Sequence, residues 1–190
     1  MNKSMNNCVT VATVAVDEIN DFNYDEIKKL EDKITNSNPY MLEHLIKSGE
    51  INVNGFYGAL QYSLLIYVIL YRRKDVKVLE ELIIMLLKNE ANINQIVKDT
   101  DDEYETSLIS AVQLYIGTCI EKEPIEVQSG ILRIVELLLE NGANPKLIMP
   151  NKYSANNIVK KFLAFEEVEQ DVKERVKIVD RLLKKWSKKS

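Results

Sequence analysis

Glycine and proline are scarce in this chain, with 6 Gly and 4 Pro among 190 residues. So few turn-forming residues argue against a fold of many short strands and favour long helices. Cys8 and Cys119 are the only cysteines, and they form no metal-ligand spacing. Two reduced thiols are therefore expected rather than a disulfide framework. No apolar run reaches the ~18 residues that a membrane-spanning helix needs.

Patterns of catalytic residues are also missing. His44 is the only histidine, and no serine or cysteine accompanies it in a nucleophile motif. There is no glycine-rich phosphate loop. Carboxylates crowd into residues 99–103, but the EF-hand spacing, with its central glycine and terminal glutamate, is absent. We therefore expect no enzyme activity, no cofactor and no metal, and we interpret residues 99–103 as a solvated acidic loop.

The overall charge argues against a nucleic-acid partner. The formal net charge is -4, whereas proteins that bind the phosphate backbone do so with an excess of Lys and Arg. The basic end, 184–189, leaves contact with an acidic partner, a membrane or nucleic acid open as alternatives. We prefer the interpretation that these lysines suit the negative end of a terminal helix dipole, with Trp186 covering the helix end. Neither a membrane nor nucleic acid is expected as a partner.

The N-terminal residues have two interpretations. Lys3 precedes the apolar stretch Cys8–Val16, as in a short signal peptide. However, no small-residue cleavage pattern follows, and Asp17 and Glu18 come at once. We therefore expect residues 1–21 to form a loosely ordered tail.

One sequence pattern occurs twice, 52 residues apart. Residues 79–94 read LEELIIMLLKNEANIN, and residues 131–146 read ILRIVELLLENGANPK. Their apolar positions match one for one, so Leu86 aligns with Leu138 and both are predicted core residues. Weaker copies of the apolar spacing lie at 41–46 and 178–183. The spacing places one apolar stripe on one face of a helix.

Local signals mark where these helices begin and end. Asn38 before Pro39 predicts a helix N-cap followed by proline in the first turn, and Thr106 predicts a hydroxyl cap. Gly142 is predicted to close its helix in the left-handed conformation. At the equivalent Glu90 no glycine is present, so strain or a turn of different shape is expected there.

The segment IVELLLENGANP, residues 134–145, resembles the end of the second helix of an ankyrin repeat. DDEYETSLISA, residues 101–111, resembles the opening of such a repeat. The resemblance covers residues 22–186 and implies an all-α ankyrin-repeat solenoid of about four helix-turn-helix units with capping end repeats. The units would be 22–54, 55–94, 95–146 and 147–186, followed by a basic tail at 187–190. A leucine-rich array of helical hairpins without ankyrin geometry is the alternative fold.

The chain also departs from this family. Ankyrin repeats run ~33 residues, and the excess lies mainly in Gly117–Gly130, with a comparable addition at Phe165–Lys173. In this family such longer turns or helix extensions lie on the convex side. In the second unit, either Gly58-Ala59-Leu60 or Tyr62-Ser63-Leu64 corresponds to Thr106-Ser107-Leu108, and we favour the latter.

The resemblance implies a non-enzymatic protein-protein interaction module that binds through its concave face and inter-repeat loops. The candidate contacts in three successive loops are Phe56, Tyr57, Asp99, Asp101, Asp102, Tyr104, Lys152 and Tyr153. Of these, Phe56 and Tyr57 are expected to be exposed aromatic contacts. The acidic second loop favours a partner with a basic patch.

A cytoplasmic monomer is expected. The abundance of Asn, Ile and Lys resembles ankyrin proteins of intracellular bacteria and large DNA viruses, which implies a host-directed effector or adaptor. A self-associating structural protein and a regulatory subunit of an enzyme are the alternatives. The alternative binding surface is the pair of extensions at Gly117–Gly130 and Phe165–Lys173.

Overall fold

Helices make up most of the structure. The computed structural model describes residues 24–58, 60–73, 75–98 and 103–188. The helices are α1 (Tyr24–Asn36), α2 (Pro39–Lys47), α3 (Leu64–Tyr71), α4 (Val76–Lys88), α5 (Ser107–Ile120), α6 (Ile125–Glu140), α7 (Ala155–Ala164) and α8 (Gln170–Ser187). Strands β1 (Phe56–Tyr57) and β2 (Tyr62–Ser63) form one antiparallel pair, and β3 (Val97–Lys98) and β4 (Tyr104–Glu105) form another. This mostly helical structure agrees with the expected all-α class.

The predictions for the two ends of the chain have different outcomes. The N-terminal tail expected at 1–21 lies outside the described residues. At the other end, α8 includes Ser187 and is capped by Lys188. Trp186 lies in the last turn of α8, where it is half-buried against the core.

The 52-residue spacing between the two matched segments arises mostly from longer helices. α5 continues to Ile120 and α6 begins at Ile125, so only four residues separate them. The connection between α7 and α8 is likewise short, at residues 165–169, because α8 already begins at Gln170. Of the two possibilities predicted for these segments, longer turns or helix extensions, the structure has helix extensions.

Side-chain caps begin five of the helices in the described ranges, including α4, where the Val78 amide donates to Asp75 Oδ1 at 3.2 Å. The Met41 amide donates to Asn38 Oδ1 at 2.9 Å, and the Ile109 amide donates to Thr106 Oγ1 at 3.3 Å, which confirms both predicted caps. Ser154 caps α7 in the same way. Ser63 caps α3, so it corresponds to Thr106. The alignment that placed Tyr62 opposite Thr106 was therefore wrong by one residue.

Positive φ angles follow the ends of α2, α4 and α6. Gly142 has φ +95° after α6, which confirms the predicted left-handed closure, and Gly49 has φ +79° after α2. Glu90 occupies the same place after α4 with φ +66°. A residue with a side chain is strained in this region, so the expected strain is present at Glu90.

The core lies between two layers of helices. α1, α3, α5 and α7 contact one another in succession, and so do α2, α4, α6 and α8. Leu86 and Leu138 are both fully buried, as predicted from their matched positions. Burying a leucine side chain stabilises a fold by about 1.5–3 kcal/mol. The connecting loops that follow α2, α4 and α6 are described at residues 48–58 and 60–63, at 89–98 and 103–106, and at 141–154. They lie along one edge, where hydrogen bonds join each loop to the next.

A candidate protein-binding edge

Each of the three edge loops contains an asparagine, Asn52, Asn92 or Asn144, whose side chain folds the backbone locally. The side-chain oxygen of Asn52 accepts from the amide of residue 54 at 3.0 Å. Asn92 does the same with the amide of residue 94 at 3.1 Å, and Asn144 with that of Lys146 at 2.9 Å. Such turns are favoured by asparagine because its short side chain reaches the backbone two residues on. The three loops therefore share the same local geometry.

A second set of hydrogen bonds joins each loop to the next. Asn54 Oδ1 accepts from the Asn92 amide at 2.7 Å, and its Nδ2 donates to the Glu90 carbonyl at 3.2 Å. One loop further on, Asn94 Oδ1 accepts from the Asn144 amide at 2.9 Å and its Nδ2 donates to the Gly142 carbonyl at 3.0 Å. We call Asn54, Asn92, Asn94 and Asn144 the asparagine ladder. It holds successive loops in one register.

Exposed apolar side chains stand at one position of every loop, four residues after Asn52, Asn92 or Asn144. Phe56 is 44% exposed, Ile96 is 39% exposed and Ile148 is 65% exposed. The residue that follows each of them is buried: Tyr57, Val97 and Met149. Because the ladder places the three loops equivalently, Phe56, Ile96 and Ile148 form a row along the edge, which we call the apolar row.

Both Phe56 and Tyr57 were predicted to be exposed; Phe56 is exposed, and the prediction for Tyr57 is wrong. Tyr57 is only 7% exposed, and its hydroxyl donates to the Asn52 carbonyl at 2.7 Å. Burial raises the pKa of the Tyr57 hydroxyl. Tyr57 therefore packs beneath its loop instead of offering an exposed aromatic contact. The physical reason is that neighbouring residues of a strand point to opposite sides, so only one of the two aromatics faces solvent.

The second loop is described only in part. Asp99, Asp101 and Asp102 lie outside the described residues. Tyr104 is half-buried on β4, where it pairs with Lys98 and packs against the core. Tyr104 is therefore less available for contact with a partner than an aromatic residue in an unpaired loop would be, although it is partly exposed.

The third loop brings its two predicted residues to the surface. Lys152 is exposed, with a positive φ of +65° in the tight turn between Met149 and Tyr153. Tyr153 is exposed on one side, and Lys161 Nζ lies 5.2 Å from its ring centroid. The same Nζ donates to the Tyr153 hydroxyl at 3.1 Å. This cation–π contact holds the Tyr153 ring in place in the third loop.

Ile96 and Ile148 belong to the edge, but the sequence alone did not indicate them. Isoleucine is usually a core residue, so each resembled the buried positions beside it. The available signal was their distance from the asparagine, since Asn92 and Asn144 stand four residues before them in the matched segments. That constant offset also applies to Asn52 and Phe56.

Two other groups of chemical interest, His44 and Cys119, are not members of the apolar row. His44 is exposed on α2, and Cys119 is buried with its thiol pKa raised by burial. Across the described ranges, no three His, Cys, Asp or Glu side chains converge as metal ligands would. A search of those same ranges also finds no helix with the length and apolar character to cross a membrane.

Comparison with known proteins adds no relative to this picture. No known protein-family model matches the chain, and no curated protein matches it significantly.

Proposed function

We propose that the chain is a divergent ankyrin-type repeat protein that binds a partner protein through its loop edge. The two-layer succession of helix pairs and the repeated asparagine ladder support a repeat architecture, because repeats stack each pair only on its neighbours. The proposed binding residues are the apolar row of Phe56, Ile96 and Ile148, together with the exposed Tyr153 of the third loop.

The apolar row is the observation that carries the proposal. Large apolar side chains left exposed at one repeated position, and braced by hydrogen bonds between loops, favour binding because few groups need ordering. Packed helices lie about 8–10 Å apart, so the row would repeat at about that interval. A partner helix presents every seventh side chain at about 10 Å, which fits this spacing. We therefore propose that the partner presents a helix with an apolar stripe.

The loops offer more binding surface than the faces of the first helices of each pair. Eleven of the fourteen residues of α5 are buried, and α3 is buried from Leu64 to Ile69. The expected contribution of the concave face is accordingly small in this chain. The acidic second loop adds a preference for Lys or Arg beside the partner's apolar stripe, since complementary charge accelerates encounter.

The proposed role is binding rather than catalysis. His44 lies in the last turn of α2, just before the first edge loop, and is not a member of the apolar row. The apolar row itself contains no nucleophile or general base. The edge has the composition of a recognition surface, with aromatic and aliphatic side chains at its centre.

Site-specific photocrosslinking tests the proposal. A photoreactive amino acid is placed singly at Phe56, Ile96 or Ile148, and a matched control carries it at Tyr40, which is exposed on α2. In extracts of the native cell, and in extracts of a candidate host cell, the three edge positions should crosslink the same protein. The control position should not.

Aspartate variants supply the second arm. Ile96→Asp and Ile148→Asp should each weaken binding of that protein at least tenfold, while Tyr40→Asp leaves it unchanged. All variants should retain their helical circular dichroism, because the side chains are at the surface. The proposal fails if Tyr40 crosslinks that protein as well as the edge does, or if neither aspartate variant weakens binding.

A further inference from the structure

The tip of the α5–α6 hairpin projects beyond its neighbour on one side. Gly130 of α6 packs against Val76, the first residue of α4: a Cβ added at Gly130 would lie 2.5 Å from Val76 Cγ1. α6 begins five residues earlier, at Ile125, so its first turn extends about 7 Å past the start of α4. The partner helix α5 has 14 residues where α3 has 8. The tip therefore stands clear of the α3–α4 pair.

Hydrogen bonds make this tip rigid. The Glu123 amide donates to the Thr118 carbonyl at 3.0 Å, and Gln128 Nε2 donates to the Glu123 carbonyl at 2.6 Å. Gln128 is buried, and its Oε1 accepts from the Cys119 thiol at 3.7 Å. A tip that is already ordered loses little conformational entropy when something binds to it.

The surface of the tip combines apolar and acidic groups. Ile120 is 52% exposed and Ile125 is 62% exposed, and they flank the turn. The acidic side chains around them are Glu121, Glu123 and Glu126, all exposed. Within the described part of the chain, none of the three has an ion-pair partner; the only cation of the turn, Lys122, binds Glu169 at 2.9 Å. The tip thus presents two isoleucines ringed by unpaired carboxylates.

α8 presents the opposite chemistry on its solvent face. Ile178 is 42% exposed, and Arg181, Lys185 and Lys188 follow at helical spacing on the same face, all exposed. The neighbouring carboxylates are already paired, Glu174 with Lys177 and Asp180 with Lys184. In the part of the chain that the structure covers, Arg181, Lys185 and Lys188 have no carboxylate partner. An apolar residue and three cations without a salt-bridge partner among the described residues therefore line this face.

The tip and this face cannot meet within one molecule. The ion pair of Lys122 with Glu169 places the tip at the first turn of α8. Ile178 lies nine residues further along the helix, about 13 Å away, and Lys185 lies about 24 Å away. Contact between the two surfaces requires a second molecule.

The charge of the whole sequence favours such a contact. Residues 146–190 carry 12 Lys and Arg against 6 Asp and Glu, a net charge of +6, while residues 1–145 carry 13 against 23, a net charge of -10. Opposite ends of two copies attract each other over about a Debye length. We propose that a second copy of this chain docks its α5–α6 tip on the α8 face, forming a head-to-tail association.

This association differs from the monomer expected from the sequence, and it uses a surface separate from the apolar row. Because the contact joins two different surfaces, each molecule keeps one of each free, so the association continues into a chain or closes into a ring. The contact is small and highly charged, which places it among weak and salt-sensitive interfaces.

Sedimentation analysis of the full chain tests the proposal. At about 0.02 M salt the average mass should rise above the 21.9 kDa monomer with protein concentration. It should return to the monomer at about 0.5 M salt, where the screening length falls to about 4 Å. A wild-type chain that stays monomeric at low salt up to millimolar concentration overturns the proposal.

Charge reversal identifies the surfaces. Glu121→Lys with Glu126→Lys should abolish association, and so should Arg181→Glu with Lys185→Glu. All four changes in one chain should restore it, because the charges are again opposite. The matched control, Glu81→Lys with Glu90→Lys, changes the net charge as much as the tip variant does but should leave association intact. Loss in the control, or no recovery in the fourfold variant while its helical circular dichroism is native, rules out this pair of surfaces.

A variant without charge change provides a further check. Ile125→Ser should weaken association about tenfold, through the loss of its apolar contact. An unchanged association constant for Ile125→Ser would place the contact away from the tip and overturn the proposal.

Discussion

The three helix ends at the loop edge allow backbone strain to be measured by exchanging residues. Gly49, Glu90 and Gly142 follow α2, α4 and α6 with positive φ, and only Glu90 has a side chain. The perturbations are Gly142→Ala and Glu90→Gly. A Cβ added at Gly142 meets no atom within 4 Å, so the substitution changes the backbone preference and introduces no clash.

The expected magnitudes come from two opposing effects. A side chain in the left-handed region costs about 1–2 kcal/mol. Replacing glycine by alanine also stabilises the fold by about 0.4–1 kcal/mol, because the unfolded chain then has fewer conformations to lose on folding. Gly142→Ala should therefore lower the free energy of unfolding by about 1 kcal/mol. Glu90→Gly reverses both effects and should raise the free energy of unfolding by about 0.5–1 kcal/mol.

Urea titration followed by circular dichroism and by the fluorescence of Trp186 measures both variants. The slope with denaturant should remain that of the wild type, because neither change alters the surface exposed on unfolding. The reasoning is refuted if Gly142→Ala has no measurable effect or if Glu90→Gly destabilises the protein. Gly142 would then not depend on its left-handed conformation, or Glu90 would contribute an interaction that outweighs its strain.

Three further perturbations test other parts of the fold. Leu138→Ala should cost about 2–5 kcal/mol in chemical denaturation, because a fully buried leucine is removed between layers; a loss below about 1 kcal/mol would mean that the site collapses around the cavity. Thr106→Ala should cost about 1 kcal/mol through loss of the α5 cap, while Thr106→Ser retains stability; equal losses in the two variants would contradict a capping role. Burial raises the pKa of Tyr115 well above its ordinary value near 10, so its contribution to stability is full below about pH 10 and is lost as the pH rises toward the folded-state pKa. Melting temperatures should fall above about pH 10, less steeply in Tyr115→Phe; parallel pH profiles for the two proteins would contradict this.

The loop edge shows how far the candidate site could be predicted. Phe56 was identified because glycines flank it in a short polar loop, which is a local feature. Tyr57 was assigned to the wrong side, because the pairing of β1 with β2 decides which of two adjacent aromatics is buried. Ile96 and Ile148 were missed because an isoleucine beside Val97 or Met149 gives no local sign of exposure.

The asparagine ladder could not be derived from local patterns either. Its bonds join residues 38 and 50 positions apart, Asn54 with Asn92 and Asn94 with Asn144. Repeated asparagines are visible in the sequence, but their partners depend on how successive loops stack. The projecting α5–α6 tip has the same origin, since its position is set by the packing of Gly130 against Val76.

By itself, the sequence determined the features that depend on neighbours within a few residues. Helical periodicity, the caps at Asn38 and Thr106, and the left-handed closure at Gly142 arise from interactions within about one or two helical turns, so the residues that cause them are adjacent in the chain. The tertiary structure alone decided which apolar residues face solvent and how the loops align. Those outcomes depend on contacts between segments that are distant in sequence, and they follow only when the helices are packed together.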